Sequence, residues 1–248
     1  MRDDEYRAMF ELEERLWWYE GMRAVTASLL APGLTDKKGL RLLDLGCGTG
    51  YSLAWLRDHF RIADVYGIDV SPHAAAFWRA RALDTLALAS VDKLPFEEGE
   101  FDLATCFDVI YQLNDERASS AISEIHRVLK PGALLFIREP AYQWMRGGHD
   151  VAVGTHRRYT LTDLRRLLRA HGFKLRRSTY ANTLLFWAAA PHRLLSKLRG
   201  SSQSDVKPAP RWLNNLLGAT IKLEAHLLAR VTFPFGLSAI ILAEKESR

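Results

Sequence analysis

The sequence predicts an α/β protein in which helices cover both faces of one mostly parallel sheet. Short apolar runs of strand length alternate with helical patterns between residues 40 and 138. The first run, LRLLDL at residues 40–45, leads directly into the glycine-rich turn GCGTG. A last apolar run, LSAIILAE, occupies residues 237–244. Such alternation is typical of βαβ units, whose strands form a parallel sheet.

The order of these patterns divides the chain into four predicted segments. They are an N-terminal helical lid at 1–34, a ligand-binding core at 35–183, a helical insertion at 184–230 and a final strand at 231–248. Within the lid, one continuous helix is expected over residues 4–30. The other predicted strands cover residues 40–45, 64–68, 86–91, 101–107, 133–138 and 173–180.

Length and composition are those of a folded globular protein. The chain has 248 residues, 48% hydrophobic and 25% charged, which excludes a disordered or fibrous chain. Its two cysteines cannot form a disulfide framework, and its charged N-terminus does not resemble a secretory signal. The longest uncharged stretch, residues 178–192, is too short to span a bilayer. We therefore expect a cytoplasmic protein.

Charge is distributed unevenly between the two halves. Residues 1–124 hold 13 Lys and Arg against 22 Asp and Glu, whereas residues 125–248 hold 21 against 7. A basic half can indicate an anionic partner, although two separately solvated faces would give the same pattern. The basic run at 165–177, beside apolar residues at 184–199, suits peripheral contact with an anionic membrane or a phosphorylated substrate. Aromatic residues are not interleaved with these charges, so nucleic acid is not expected as a partner.

The glycine-rich turn predicts a ligand site. Gly46, Gly48 and Gly50 lie between a strand and a helix N-terminus, where bare backbone can approach a ligand closely. Their spacing is G-x-G-x-G. Dinucleotide-binding turns have G-x-G-x-x-G, and here Tyr51 stands at the place of the third glycine. Because Tyr51 replaces that glycine, the turn disfavours an NAD(P)-dependent oxidoreductase, which remains an alternative interpretation of this site.

Acidic residues follow the next two strands. Asp69 ends the second strand, where a carboxylate can accept both ribose hydroxyls of a nucleoside. Asp92 follows the third strand and could accept the adenine amino group, with Leu94 as an apolar neighbour of the ring. Consecutive parallel strands bring their carboxyl ends to one edge, so the sequence predicts a nucleoside site there.

Five stretches, in order and spacing, resemble the class I S-adenosylmethionine-dependent methyltransferases. They are LLDLGCGTG, YGIDVSP, VDKLPFEEGEFD, FDLATCFDVIYQLND and EIHRVLKPGALLFIREP, and they cover residues 40–140. The resemblance implies a Rossmann-like sheet of seven strands whose last strand is antiparallel. It also implies S-adenosylmethionine as the cofactor, S-adenosylhomocysteine as the product, and no metal.

The same resemblance implies a set of cofactor-binding residues. Asp69 would hold the ribose, Asp92 the adenine amine, and Asp44 would help recognise the amino group of the methionine part. The stretch LWWYEGMR at 16–23 resembles an aromatic helix of several bacterial subfamilies, whose rings cap the cofactor and whose arginine can meet its carboxylate. The full predicted set is Tyr19, Arg23, Asp44, Gly46, Cys47, Gly48, Gly50, Asp69, Val70, Asp92, Lys93, Leu94 and Phe107.

The loop after the fifth strand predicts the acceptor side of the site. An oxygen or nitrogen acceptor can need a base, and GTHRRYT at 154–160 resembles a signature of a bacterial subfamily associated with glycan and lipid modification. Arg157 or Arg158 could grip a phosphate or carboxylate, and we expect one of them to pair with the acidic N-terminal helix. The predicted catalytic residues are Glu139, His149 and His156, and the predicted substrate-binding residues are Trp18, Tyr111, Tyr142, Arg157 and Tyr159.

The sequence thus predicts a methyltransferase acting on a small-molecule, lipid-like or glycan-like acceptor. Methylation of oxygen is favoured slightly over nitrogen or carbon. The alternatives are an NAD(P)-dependent oxidoreductase and a nucleic-acid methyltransferase or binding protein. Neither the acceptor nor the oligomeric state follows from the sequence.

Overall fold

Seven strands form one mixed sheet in a computed structural model that describes residues 3–35, 37–147, 150, 154–198 and 210–246. The strand order is β3-β2-β1-β4-β5-β7-β6. Strand β7 is antiparallel to both of its neighbours, and the other pairings are parallel. The predicted Rossmann-like sheet is confirmed. The strands are β1 Arg41–Leu45, β2 Asp64–Asp69, β3 Leu86–Leu88, β4 Phe101–Phe107, β5 Leu129–Pro140, β6 Phe173–Ala181 and β7 Ser238–Lys245.

Eight α-helices among the described residues connect and flank the strands. They are α1 Asp3–Leu12, α2 Trp17–Leu34, α3 Tyr51–Phe60, α4 Pro72–Trp78, α5 Asp115–Val128, α6 Leu161–Ala170, α7 Thr183–Leu198 and α8 Arg211–Leu228. None of these helices is long and apolar enough to cross a membrane.

The single helix expected over residues 4–30 is wrong. The chain breaks between Leu12 and Trp17, and the second helix runs on through Pro32. The break is stabilised by the side chain of Arg23, whose guanidinium donates to the carbonyl oxygens of Glu13 at 2.7 Å and Glu14 at 3.3 Å. These carbonyls have lost their helical partners, so an arginine in the second turn of the next helix satisfies them.

Helices cover both faces of the sheet, as predicted. On one face Ile122 and Ile125 of α5 pack with Leu164 of α6 in one apolar cluster. On the other face α2, α3 and α8 contribute to a second cluster, which includes Val25 and Leu53. The large buried side chains of the strands divide between the two clusters, because successive residues of a strand point to opposite faces.

Helices α2 and α8 pack closely against each other. A Cβ atom added to Gly21 would lie 2.6 Å from Cγ2 of Ile221, so the glycine permits this close approach. The hydroxyl of Ser28 donates to the carbonyl of Ala225 at 2.6 Å. Helix α2 therefore belongs to the packed core, although the sequence grouped it with α1 in one predicted lid.

Candidate active site

A cavity of about 740 Å³ lies at the carboxyl edge of the sheet. The glycine-rich turn after β1, Asp69 at the end of β2 and Phe107 at the end of β4 line it, together with residues of α1 and α2. Ligand cavities in proteins span roughly 300–1,000 Å³, and α/β sheets bind ligands at this edge. The cavity therefore has the position and size of a cofactor site.

The glycine-rich turn requires glycine at two positions that line the cavity. Gly46 and Gly48 have φ of 70° and 56°, in the left-handed region that other residues rarely adopt. A Cβ atom at Gly46 would lie 2.4 Å from Cγ2 of Val109, and one at Gly48 would lie 2.9 Å from Cε of Met9. Bare backbone thus forms the cavity wall at the N-terminus of α3, where helical N–H groups lack internal partners.

Asp69 lies at the rim of this turn with its carboxylate held in place. Its Oδ2 accepts from the backbone N–H of Gly48, and its Oδ1 accepts from that of Ser71, both at 2.9 Å. A third donor comes from α1, because the hydroxyl of Tyr6 lies 3.1 Å from Oδ1. Burial and the charge of Asp69 raise the pKa of Tyr6, so its phenol keeps the proton that it donates. The carboxylate that would hold a ribose is thus already in contact with α1.

Asp44 is buried at the base of the cavity wall. Its carboxyl accepts from the hydroxyl of Thr105 at 2.6 Å. Burial raises the pKa of Asp44 to about 7, while the bond from Thr105 and the charge of Arg138 oppose that rise. A cationic ligand group beside Asp44 would favour its ionised form, so this carboxyl suits the amino group that the resemblance assigns to it.

Most of the predicted cofactor-binding residues line the cavity. Gly50, Asp92, Lys93 and Leu94 do not. Those that line it are Tyr19, Arg23, Asp44, Gly46, Cys47, Gly48, Asp69, Val70 and Phe107.

The residues expected around the adenine ring have other contacts. Asp92 forms an ion pair with Arg117 at 2.6 Å, which lowers the pKa of the carboxyl to about 2. Leu94 is buried in the core, and Lys93 is exposed. Backbone and side chains at 89–91 line the cavity instead, together with Arg117. A local sequence pattern could not reveal that residues 89–91, and not 92–94, line the cavity. The reason is that Arg117, which binds Asp92, lies on another element.

Beyond the glycine-rich turn the cavity is lined by aromatic rings around a partly buried ion pair. The guanidinium of Arg138 donates to the carboxylate of Asp108. It also lies 5.1 Å from the ring centre of Trp18 and 4.9 Å from that of Phe107. Asp108 has a φ of 57°, a strained conformation that aspartate tolerates better than most residues. Sequence reasoning missed Arg138, because it reads there as an ordinary strand residue.

The predicted substrate-binding residues divide into two groups. Trp18 and Tyr111 line the cavity, whereas Tyr142, Arg157 and Tyr159 do not. Arg157 forms an ion pair with Asp115 at 2.6 Å.

Arg158, by contrast, lies in the cavity wall. It forms an ion pair with buried Asp150 at 2.7 Å, and both residues line the cavity. The expectation that Arg157 or Arg158 pairs with the acidic N-terminal helix is therefore wrong, because α5 and the loop after β5 supply nearer carboxylates.

Of the predicted catalytic residues, the two that lie in the described part of the chain, Glu139 and His156, do not line the cavity. Glu139 is fully buried, and its carboxylate accepts from the backbone N–H groups of Val109, Ile110 and Tyr111 at 3.0–3.2 Å. Burial also raises its pKa. Glu139 therefore fixes the turn after β4. His156 is exposed outside the cavity, and His149 lies outside the described residues. The described part of the chain has no cluster of three or more His, Cys, Asp or Glu side chains that could hold a metal ion.

Comparison with known proteins identifies relatives of the central part of the chain. Residues 43–137 match the family model for a methyltransferase domain. An uncharacterised methyltransferase of Synechocystis sp. is 34% identical over 116 residues, 45% of this chain and 53% of that protein. The ubiquinone/menaquinone biosynthesis C-methyltransferase UbiE of Laribacter hongkongensis is 31% identical over 115 residues, 44% of this chain and 46% of that protein. The chain spans about half the length of the curated relatives it matches.

The fold agrees with these matches. The S-adenosylmethionine-dependent methyltransferase of Mesorhizobium loti has a TM-score of 0.59 and 20% identity, covering 91% of this chain and 100% of that one. At this identity the likeness shows the fold alone. The glycine-rich turn that forms the cavity wall lies within residues 43–137, the part of the chain that is similar to a methyltransferase domain.

Proposed function

We propose that the protein transfers the methyl group of S-adenosylmethionine to a small-molecule or lipid-like acceptor with a largely apolar body. The observation that carries this proposal is that one cavity has two chemically different walls. One wall holds the glycine-rich turn and two carboxylates, and the other holds aromatic rings around a partly buried ion pair.

The residues present fit the cofactor. Asp69 suits the ribose hydroxyls, and Asp44 suits the amino group. Residues 89–91 offer a wall for the adenine ring. The cofactor supplies an electrophilic methyl on a sulfonium and a good leaving group, so the protein mainly contributes alignment and exclusion of water.

The acceptor side of the cavity is mostly apolar. Leucine, tryptophan and methionine side chains dominate it, which favours a lipid-like body over a bare glycan. The apolar residues in this part are Leu12, Leu16, Trp17, Trp18, Met22, Met145 and Leu237. Such a lining removes water from the reacting atoms and strengthens the few polar contacts within it.

Asp108 is the carboxylate we assign to orienting a hydroxyl acceptor. It follows Phe107 directly and lines the cavity. Arg138 holds it in one position, so it can accept a hydrogen bond from an acceptor hydroxyl and direct the oxygen to the methyl. Oxygen is therefore the first acceptor atom to test.

Carbon is the second acceptor atom, and a specific observation favours it. The relative from Laribacter hongkongensis carries the name of a C-methyltransferase. A carbon nucleophile in an electron-rich ring would likewise suit an aromatic cavity wall.

Calorimetric titration tests the cofactor assignment. S-adenosylhomocysteine should bind to the full chain, whereas NADH and NADPH should not. Labelled S-adenosylmethionine incubated with hydroxylated aromatic and lipid extracts should then yield a labelled product, whose NMR spectrum identifies the methylated atom. Binding of a nicotinamide nucleotide in place of S-adenosylhomocysteine would overturn the proposal.

A further inference from the structure

Helix α8 is apolar on its outer face as well as its inner face. The inner face packs on α2 and buries Ile221 and Leu228. Large exposed side chains follow helical spacing on the outer face, at Trp212, Leu216, Leu223 and Leu227. A helix with apolar residues on two opposite faces is typical of one that packs on both of them. Within the described part of the chain, nothing covers this outer face.

Helix α7 extends the same apolar surface. The backbone N–H of Leu184 donates to the carboxylate of Glu224 on α8 at 2.9 Å, so the start of α7 lies against α8. Leu184 and Trp187 on α7 are exposed, the latter with 69% of its surface accessible. We call the exposed apolar residues of the two helices the α7–α8 face; they are Leu184, Trp187, Trp212, Leu216, Leu223 and Leu227.

The stretch of sequence that contains this face is positively charged. Residues 183–231 hold seven Lys and Arg against two acidic residues, and one of the two, Glu224, is fully buried. Arg211 and Arg230, at and just beyond the two ends of α8, are exposed. Apolar residues flanked by basic ones favour the surface of an anionic bilayer over a neutral one. Exposed tryptophans add to this, because their rings prefer the headgroup level.

The α7–α8 face is continuous with the cavity. Ala189, half a turn beyond Trp187 on α7, lines the cavity, and so do Leu237 and Ser238. The ring of Trp187 lies edge-on to Phe235 at 5.4 Å, just before those two residues. One helix thus borders both the exposed face and the acceptor side of the site.

We propose that the α7–α8 face docks on the surface of an anionic lipid bilayer and presents the cavity to an acceptor held in that bilayer. This inference rests on the proposed function for its choice of acceptor. The docking itself depends only on the exposed apolar residues and the positive charge, so each can be tested without the other.

Co-sedimentation of the full chain with vesicles tests the docking. The chain should bind phosphatidylcholine vesicles that contain phosphatidylglycerol, and not vesicles of phosphatidylcholine alone. The double variant Trp212→Ser/Leu216→Ser should bind the anionic vesicles about tenfold more weakly, because two large apolar side chains no longer enter the lipid. Leu88→Ser is the matched control, since Leu88 is an exposed apolar residue on β3, outside this face.

The outcomes separate the two proposals. S-adenosylhomocysteine binding should be unchanged in the double variant, which shows that the fold and the cofactor site persist. Equal binding to both kinds of vesicle, or an unchanged double variant, would overturn the docking. If the chain is a dimer without lipid and the double variant is a monomer, the face joins two copies and the membrane proposal is wrong. Failure of S-adenosylhomocysteine to bind would overturn the proposed function and leave the vesicle result standing.

Discussion

Two helical segments are held to the rest of the molecule by different interactions. The first segment is α1 together with the turn after it. Hydrogen bonds and ion pairs of polar side chains hold this segment in place. Tyr6 donates to Asp69 at 3.1 Å. Glu13, which is buried, accepts from the hydroxyl of Thr49 at 2.6 Å and from Arg81 at 2.8 Å. Two of these partners, Asp69 and Thr49, belong to the cavity wall itself.

The second segment is the pair of helices α2 and α8. Packing of apolar side chains holds this pair in place. Ile221 packs onto Gly21, and Val25 and Leu30 are fully buried in the same layer. These contacts lie away from the glycine-rich turn. Hydrogen bonds contribute about 0.5–1.5 kcal/mol each, whereas a buried aliphatic side chain contributes several times more in a core. We therefore expect α1 to respond to the cofactor while α2 and α8 stay as a fixed frame.

Replacing Ile221 with alanine should weaken the packing between α2 and α8. Of the substitutions considered, it should have the largest effect in free energy. The loss of a fully buried side chain should lower the free energy of unfolding by about 3 kcal/mol. Urea denaturation measures it. Leu223→Ala is the control, because its side chain is exposed on the same helix and its loss should cost less than about 0.5 kcal/mol. Equal losses in the two variants would show that α8 is not part of the frame.

Replacing Asp69 with alanine should act on the site and leave the frame intact. We expect S-adenosylhomocysteine to bind about 100-fold more weakly, a loss of roughly 2.7 kcal/mol, because the ribose hydroxyls lose a charged acceptor. Calorimetric titration measures the affinity, and circular dichroism checks the fold. Asp64→Ala, at the other end of β2, should bind normally. Unchanged affinity in Asp69→Ala would remove the ribose assignment.

The pH dependence of cofactor binding should report on Asp44. Its pKa of about 7 means that the carboxyl is mostly neutral at pH 6 and mostly ionised at pH 8. If the ionised form binds the cofactor's amino group, affinity should rise about tenfold over this range. Asp44→Asn should abolish that rise, while any dependence due to the ligand remains in the variant. The same slope in both proteins would separate Asp44 from the cofactor.

Replacing Tyr6 with phenylalanine should have the smallest effect and sharpen the contrast between the segments. The variant removes one of the two hydrogen bonds to Oδ1 of Asp69, a bond worth about 1 kcal/mol, and leaves the one from the backbone N–H of Ser71. We expect S-adenosylhomocysteine to bind a few-fold more tightly. The free energy of unfolding should change by no more than about 1 kcal/mol, the contribution of that hydrogen bond. Weaker binding would show instead that Tyr6 holds Asp69 in its binding position.

Local patterns in the sequence predicted those site residues whose position follows from a single strand or turn. The glycine-rich turn follows from a strand that ends in glycines, and Asp69 follows from its place at the end of the next strand. Both line the cavity. Asp92 also follows a strand, yet its carboxylate is bound by Arg117, 25 residues away in the chain. The ends of strands are therefore predictable, but the partners of their side chains are not.

The sequence by itself determined the alternation of strands and helices, the sheet that results and the turn that can approach a nucleoside. Those features depend on spacing over a few residues, because burial repeats with the period of each element. Only the tertiary structure brought Tyr6 to Asp69 across 63 residues, buried Glu139 behind the cavity and left one face of α8 apolar and exposed. Such contacts depend on how elements pack, and no local period encodes which distant side chains meet.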